Sequence, residues 1–168
     1  TTIKKNLKII YMSSINIQTN EEEQKLWEIT KKSILSDFTL IDSRGFWNRY
    51  FPNFDAKITN QYYRKLKLLL RHEIVLHLKK KFKKKFMLIG SEWSKLSIEQ
   101  IDSNYSVKKN KEIYRGNICI DLGCIEGSSS LYSRANQIIE SGGLIIQTNQ
   151  IDYKEKWNNL SKKIIFKN

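Results

Sequence analysis

The sequence predicts an α/β protein whose sheet is mostly parallel. Short apolar runs rich in β-branched residues alternate along the chain with longer segments of helical periodicity. Most of these runs are continuous rather than interrupted by polar residues at every second position, which is typical of strands buried on both faces. We therefore expect a Rossmann-like three-layer domain, with helices on both sides of the sheet. The 168 residues are enough for one such domain over residues 1–168.

Five apolar segments are predicted to be strands, and a sixth, NYSVK, is predicted to be a short edge strand. The apolar segments are rich in isoleucine and leucine, and most end at small or polar residues that favour turns. In chain order the predicted strands cover residues 7–14, 38–42, 86–90, 104–108, 117–123 and 143–148.

The clearest predicted helix covers residues 19–37, where Thr19 or Asn20 can cap the first turn and acidic residues follow. A second helix, over residues 58–82, has leucines at helical spacing. The aromatic segment 43–54 is predicted to be a loop or a short helix that breaks at Pro52. The other predicted helices cover residues 97–102, 108–114, 128–143 and 153–165.

The net charge of +13 indicates a protein that attracts anions, such as phosphorylated substrates, anionic lipid or nucleic acid. The charge is concentrated in HLKKKFKKKF, residues 77–86, which contains six lysines. This run is either the solvated end of a helix, where the helix dipole favours lysines, or a contact for nucleic acid or for an anionic membrane surface through Lys79–Lys85. Nucleic acid is not the expected partner.

Cys119 and Cys124 are predicted to be reduced thiols, because no His or Cys cluster has the spacing of zinc ligands and one local disulfide would be an unusual scaffold. No apolar run approaches the ~20 residues that a membrane span needs. We expect a cytoplasmic protein, with peripheral contact to the inner face of the membrane as a second expectation. The chain begins at Thr1 without a methionine, and we expect it to be part of something longer.

Ligands of parallel α/β sheets bind beyond the carboxyl ends of the strands. The loops predicted there are SSINIQT, GSEW and LGCIEGSSS, and all are rich in small residues that let backbone N–H groups approach an anion. The candidate binding residues from these loops are Ser13, Ser14, Gly90, Glu126, Gly127 and Ser128.

One interpretation of the third loop is a cofactor site for S-adenosylmethionine. ICIDLGCIEG resembles the first motif of methyltransferases that use this cofactor, and Asp121, Gly123 and Gly127 match it. Ile125 stands where the middle glycine would be, and the next strand lacks an acidic residue for the cofactor ribose. In most such enzymes this strand is the first of the sheet, whereas here only about 45 residues follow it. A circularly permuted methyltransferase remains an alternative.

A second resemblance is stronger. RANQIIESGGLII, residues 134–146, resembles a helix and strand of GT-B glycosyltransferases, especially the group 1 enzymes similar to the spore-maturation CgeB proteins. In that family a glutamate on the helix binds the donor ribose, and Gln137 stands at its position, with Gly142 at the expected spacing. Glu126 and Gly127 resemble the turn that faces the donor sugar and phosphate. FMLIGSEW and EIYRGNICIDLG also resemble family segments.

The resemblance implies the C-terminal, nucleotide-sugar-binding domain of a GT-B glycosyltransferase. Arg134 would bind the diphosphate, with help from the start of the helix at Ser128. No metal is expected, and the sequence identifies no catalytic residue. Such a domain needs an N-terminal acceptor-binding domain or a partner subunit, and alone it should bind a nucleotide-sugar but transfer little. A basic module that binds anionic membrane or nucleic acid is the alternative outside enzymes.

Overall fold

The computed structural model describes residues 7–52, 55–102, 106–123 and 133–147, and the elements below belong to these ranges. They contain five strands and five α-helices. In chain order these are β1 Ile9–Met12, α1 Glu21–Ser36, α2 Arg44–Tyr50, α3 Ala56–Phe82, β2 Phe86–Gly90, β3 Ile101–Asp102, α4 Val107–Tyr114, β4 Ile118–Asp121, α5 Ser133–Glu140 and β5 Leu144–Gln147. Short 3₁₀ helices cover Phe38–Asp42, Lys83–Lys85 and Trp93–Leu96.

All five strands form one sheet in the order β3-β2-β1-β4-β5, and every neighbouring pair is parallel. The predicted α/β class with a Rossmann-like, mostly parallel sheet is therefore confirmed. All four residues of β1 are buried, as expected for a strand covered on both faces.

The strand order reverses at β1. The chain first adds β2 and β3 on one side of β1, and then adds β4 and β5 on the other. Such a reversal is a topological switch point, and ligands of open parallel sheets bind in the crevice beyond the carboxyl ends of the two strands that flank it. We call the side of the sheet where the strands end the carboxyl edge, and the side where they begin the amino edge.

The chain divides into two compact units. One consists of Thr1–Ile15 with Leu78–Asn168 and contains the sheet, and the other consists of Asn16–His77. The prediction of one domain over residues 1–168 stays a prediction.

The sheet unit has a core between the strands and two helices. Apolar side chains of β1, β2, β4 and β5 pack against α4 and α5. The buried members are Ile10, Met12, Ile89, Tyr114, Cys119, Ala135, Ile138 and Ile145. Burial of such side chains is the main stabilising contribution to this unit, at roughly 25 cal/mol per Å² of apolar surface.

The second unit begins with a well-capped helix. The Asn20 side chain accepts a hydrogen bond from the Glu23 N–H at 2.8 Å, and the Glu23 carboxylate accepts one from the Asn20 N–H at 3.0 Å. This reciprocal pair is a capping box, which satisfies two N–H groups that have no partner within the helix. It confirms Asn20 as the cap of the predicted helix and explains why Glu23 is buried.

Aromatic and aliphatic side chains form the core of this second unit. The Trp47 indole N–H donates to the Ile41 carbonyl at 2.8 Å, and Phe51 stacks on Tyr62 with ring centroids 5.0 Å apart. The buried members are Leu26, Trp27, Ile34, Ile41, Phe46, Trp47, Leu66, Leu69 and Leu70. The aromatic segment predicted as a loop or short helix is therefore a helix, α2, that packs into this core.

Phe38–Asp42 is a 3₁₀ helix, so the prediction of a strand was wrong there. The Asp37 carboxylate accepts hydrogen bonds from the N–H and the hydroxyl of Thr39, at 2.9 and 2.7 Å. These local bonds favour a helical turn over an extended chain. They also lower the pKa of the Asp37 carboxyl.

The segment 97–102 is not the predicted short helix either. The side-chain amide oxygen of Gln100 accepts hydrogen bonds from the backbone N–H groups of Trp93 and Ser94, and the chain then extends into β3. The prediction of an edge strand at 104–108 was wrong over its described residues, because Ser106 caps α4 and Val107 begins it; the edge strand of the sheet is β3, at Ile101–Asp102. Asn104 and Tyr105 lie outside the described residues, as do residues 128–132 of one predicted helix and all of the helix at 153–165.

Gly90 and Gly45 provide a matched pair of glycine substitutions. A Cβ at Gly90 would lie 1.8 Å from the Ser13 carbonyl oxygen, whereas a Cβ at Gly45 would meet no atom within 4 Å. We expect Gly90→Ala to lower the free energy of unfolding by about 3 kcal/mol, because backbone must shift to admit the methyl group. Gly45→Ala should be neutral or stabilising by up to ~1 kcal/mol, since alanine is the better helix former. Urea unfolding followed by circular dichroism measures both, and equal effects would contradict the packing around Gly90.

His72 on α3 should make stability depend on pH. Burial lowers the pKa of His72 below its ordinary value of 6.5, the Glu73 carboxylate opposes this, and the Lys31 ammonium adds to it. The unfolded chain therefore binds the proton more readily, and the free energy of unfolding falls as the pH drops through about 6.5. The loss should level off once the pH is below the pKa of the folded state.

Urea midpoints between about pH 8 and about pH 5 measure this effect. His72→Gln should remove part of the decline, whereas His77→Gln, at the exposed histidine of the same helix, should leave it unchanged. A His72→Gln protein with the full decline would show that other groups are responsible.

Candidate functional site

The crevice at the switch point lies between the ends of β1 and β4. Tyr11 pairs with Ile120, so the next residues, Met12 and Asp121, end these strands side by side. Asp121 is almost fully buried, and its carboxylate accepts a hydrogen bond from the Gly123 N–H at 3.2 Å. Gly123 has φ +71°, a left-handed conformation that favours glycine. The chain therefore turns sharply as it leaves β4.

Arg134 reaches this crevice from α5. Its Nη1 donates a hydrogen bond to the Met12 carbonyl oxygen at 2.5 Å, and the side chain is half-buried. Because Met12 is the last residue of β1, the guanidinium lies at the carboxyl edge, beside the switch point. The sequence motif thus brings a permanent positive charge to the end of the sheet where phosphates bind in this fold class.

Tyr114 also lies at this site, although it was not among the predicted site residues. Its hydroxyl donates to the Met12 sulfur at 3.2 Å, and the ring is buried below the crevice in the core of the sheet unit. Burial raises the pKa of the Tyr114 hydroxyl, the Arg134 charge acts in the opposite direction, and Asp121 adds to the increase. Met12, Tyr114, Asp121 and Arg134 therefore form one cluster, which we call the switch-point cluster.

Ser13 and Ser14 have structural contacts in the loop after β1. The Ser13 carbonyl accepts a hydrogen bond from the indole N–H of the buried Trp93 at 2.6 Å. The Ser14 hydroxyl accepts the Ser91 N–H at 3.2 Å and contacts the Ser91 hydroxyl at 2.8 Å. These bonds hold the loops after β1 and β2 against each other, beyond the carboxyl ends of both strands.

Gly90 is required by the same contact between loops. The Ser13 carbonyl passes so close to the Gly90 Cα that no side chain fits between them. This close approach explains why residue 90 is a glycine, and no bound ligand is needed to explain it. A role of Ser13, Ser14 and Gly90 in donor binding therefore stays a prediction.

Gln137 lies on α5 one turn beyond Arg134. Residues three apart are neighbours on a helix surface, so both side chains are on the same face, and both are half-buried. α5 ends at the turn where the N–H groups of Gly142 and Gly143 donate to carbonyls of the last helical turn, at 3.0 and 2.9 Å. The described part of the predicted helix, its glycine turn and the following strand are thus confirmed.

The other three predicted site residues, Glu126, Gly127 and Ser128, lie outside the described residues. Within the described ranges, no group of three or more His, Cys, Asp or Glu residues could hold a metal ion. No helix in the same ranges has the length and the apolar character needed to cross a membrane.

No protein-family model, no curated protein and no solved structure matches this chain. Its function is therefore inferred from the fold, from the side chains at the carboxyl edge and from the sequence motifs.

Cys119 on β4 should be chemically inert in the folded protein. The thiol is buried in the core of the sheet unit, and burial raises the pKa of Cys119 to about 12. Only the thiolate is nucleophilic, so little reactive species is present at neutral pH. In a Cys124→Ser variant, which leaves Cys119 as the only thiol, we expect no modification by iodoacetamide under native conditions and complete modification in urea. Native modification at the rate of a free thiol would contradict the burial of this strand.

Proposed function

We propose that the chain is the nucleotide-sugar-binding domain of a glycosyltransferase that transfers a sugar to a glycan, lipid or protein acceptor. The observation that carries the proposal is the Arg134 guanidinium on the Met12 carbonyl, at the crevice where a Rossmann-like sheet binds its ligand. The motif that contains Arg134 supports it independently, because the same residues resemble the donor-binding helix of GT-B enzymes.

The chemistry of the cluster suits a diphosphate. A nucleotide-diphospho-sugar carries negative charge on both phosphates, and arginine binds phosphate oxygens through a planar fork of N–H groups. The bond to Met12 fixes the guanidinium against the central strand, so little side-chain entropy is lost when the ligand binds. The positive charge would also stabilise the diphosphate as it leaves the sugar, without a metal ion.

Gln137 is the residue we propose for the ribose. It is three positions beyond Arg134 on the same helix face, so one ligand can reach both side chains. Glutamine accepts a hydroxyl hydrogen bond through its carbonyl oxygen, but it lacks the charge that strengthens such bonds to glutamate. We therefore expect weaker binding of the nucleoside part than in GT-B enzymes that have glutamate at this position.

We propose that this chain is the donor-binding half of a cytoplasmic enzyme. In GT-B enzymes the acceptor and the catalytic base belong to the other domain, so transfer should require that domain or a partner subunit. We therefore expect the described domain to bind donor and nucleotide with little turnover by itself.

A methyltransferase-like domain is less well supported. Asp121 and Gly123, which match the cofactor motif, lie at the end of the fourth strand along the chain, whereas in most such enzymes the motif lies at the end of the first. Titration calorimetry with S-adenosylmethionine, alongside nucleotides and nucleotide-sugars, distinguishes the two proposals. Binding of this cofactor in preference to nucleotides would favour the methyltransferase.

Arg134→Ala is the direct test. In titration calorimetry with UDP, GDP and their sugars, we expect the variant to bind the preferred nucleotide diphosphate about 10- to 100-fold more weakly, as for loss of a hydrogen bond to a charged group. Binding of the matching nucleoside should change little, because it lacks the phosphates. Arg115→Ala is the control, since Arg115 is exposed in the turn that precedes β4, at the amino edge.

Thermal unfolding separates a binding defect from a folding defect, because Arg134 also bonds to the sheet. Arg134→Lys, which keeps the charge and loses the planar fork, should fall between wild type and alanine. Absence of binding to every nucleotide and nucleotide-sugar by the folded wild-type protein would overturn the proposal.

A further inference from the structure

The lysine run at residues 79–85 lies on two elements that meet at the amino edge. Lys79–Lys81 form the last turn of α3, and Lys83–Lys85 form the 3₁₀ helix that leads into β2. Five of these six lysines are exposed, and Lys79 is half-buried. Within the part of the chain that the structure describes, none of the six forms a salt bridge.

A seventh lysine joins the run from a distant part of the sequence. The Lys8 ammonium donates a hydrogen bond to the Lys84 carbonyl at 2.9 Å. Ile9 pairs with Phe86, so Lys8 and Lys85 precede adjacent parallel strands, whose backbones are about 4.8 Å apart. We call Lys8, Lys79–Lys81 and Lys83–Lys85 together the basic amino edge.

The helix dipole explains only part of this charge. Lysines in the last turn of a helix interact favourably with its carbonyls, and the effect falls off within that turn. Lys79–Lys81 meet this condition. Lys83–Lys85 lie beyond the end of α3, after Lys83 has turned the chain with φ +47°, and Lys8 belongs to another segment. Stabilisation of the helix therefore does not account for the whole set.

We propose that the basic amino edge is a docking surface for an anionic phospholipid bilayer. All seven cations are lysines, whose compact charge attracts anionic lipid headgroups. Unlike arginine, lysine has no planar fork of N–H donors, so it does not select a planar arrangement of acceptors. The aromatic ring inside the run, Phe82, is half-buried with the Lys81 ammonium 5.6 Å from its centroid. It is not an exposed platform for stacking bases, which disfavours single-stranded nucleic acid as the partner.

Docking through this surface is independent of the nucleotide-sugar proposal. Lys8 and Lys83–Lys85 precede β1 and β2, whereas the switch-point cluster lies at the carboxyl ends of β1 and β4, so the two surfaces are at opposite edges of the sheet. Failure of nucleotide binding would leave this inference standing, and failure of lipid binding would leave the proposed function standing.

Vesicle sedimentation tests the proposal in a way that separates this surface from the overall charge of +13. The probes are vesicles of phosphatidylcholine alone and vesicles with roughly 30% phosphatidylserine, at low salt and at about 0.5 M salt. Lys84→Gln/Lys85→Gln is compared with Lys108→Gln/Lys109→Gln, which loses the same charge from exposed lysines in the first turns of α4.

We expect wild-type protein to bind only the anionic vesicles and to dissociate at high salt. Lys84→Gln/Lys85→Gln should weaken the partition coefficient by about 30-fold, the effect of two lysines near an anionic surface. The matched α4 variant should retain most of the binding. Lys8→Gln should weaken it by about fivefold, as for one lysine.

Equal weakening by the two double variants would overturn the proposal, because binding would then follow net charge alone. So would equal binding to both kinds of vesicle. Binding to a labelled single-stranded RNA or DNA duplex that is tighter than lipid binding at the same salt, and is lost in Lys84→Gln/Lys85→Gln, would assign the surface to nucleic acid instead. Circular dichroism confirms that each variant is folded before it is compared.

Discussion

The position of β1 between β2 and β4 is the constraint on which the rest of the structure depends. Both neighbours are parallel to β1, so all three strands end at the same edge, and the reversal of strand order creates a crevice there. The carbonyl that ends β1 then becomes the anchor for Arg134, and the loop that follows requires Gly90 on the neighbouring strand. β1 therefore pairs with both central neighbours, supplies the carbonyl that binds Arg134 and leads into the loop that packs on Gly90.

Local sequence pattern was sufficient for the strands with continuous apolar runs and for the capped start of one helix. The continuous apolar runs predicted β1, β2, β4 and β5, and Asn20 with its acidic neighbours predicted the start of α1. The pattern failed at 38–42, an equally apolar segment, because Asp37 supplies local hydrogen bonds that favour a 3₁₀ turn. It also failed at 97–102, where the Gln100 side chain organises the backbone around Trp93 in a way that no periodicity encodes.

The candidate site was predictable only where it depended on spacing along one helix. Arg134 and Gln137 are three residues apart, and a helix is enough to bring them together. Tyr114 and Asp121 reach the same cluster through strand order and packing, which the apolar pattern does not specify. The contact between Ser13 and Gly90 likewise depends on the register of β1 against β2, which the apolar pattern does not specify.

The central location of β1 also has a consequence for synthesis on the ribosome. β1 leaves the ribosome before the other strands of the sheet, the strands that pair with it follow much later, and Lys8 bonds to Asn117, 109 positions further along. At about 5–20 residues per second, that partner emerges roughly 5–20 seconds after β1. During this interval β1, whose four residues are all buried in the folded protein, lacks the strands that cover its edges, so its apolar side chains are open to transient contacts until β2 and then β4 have been made.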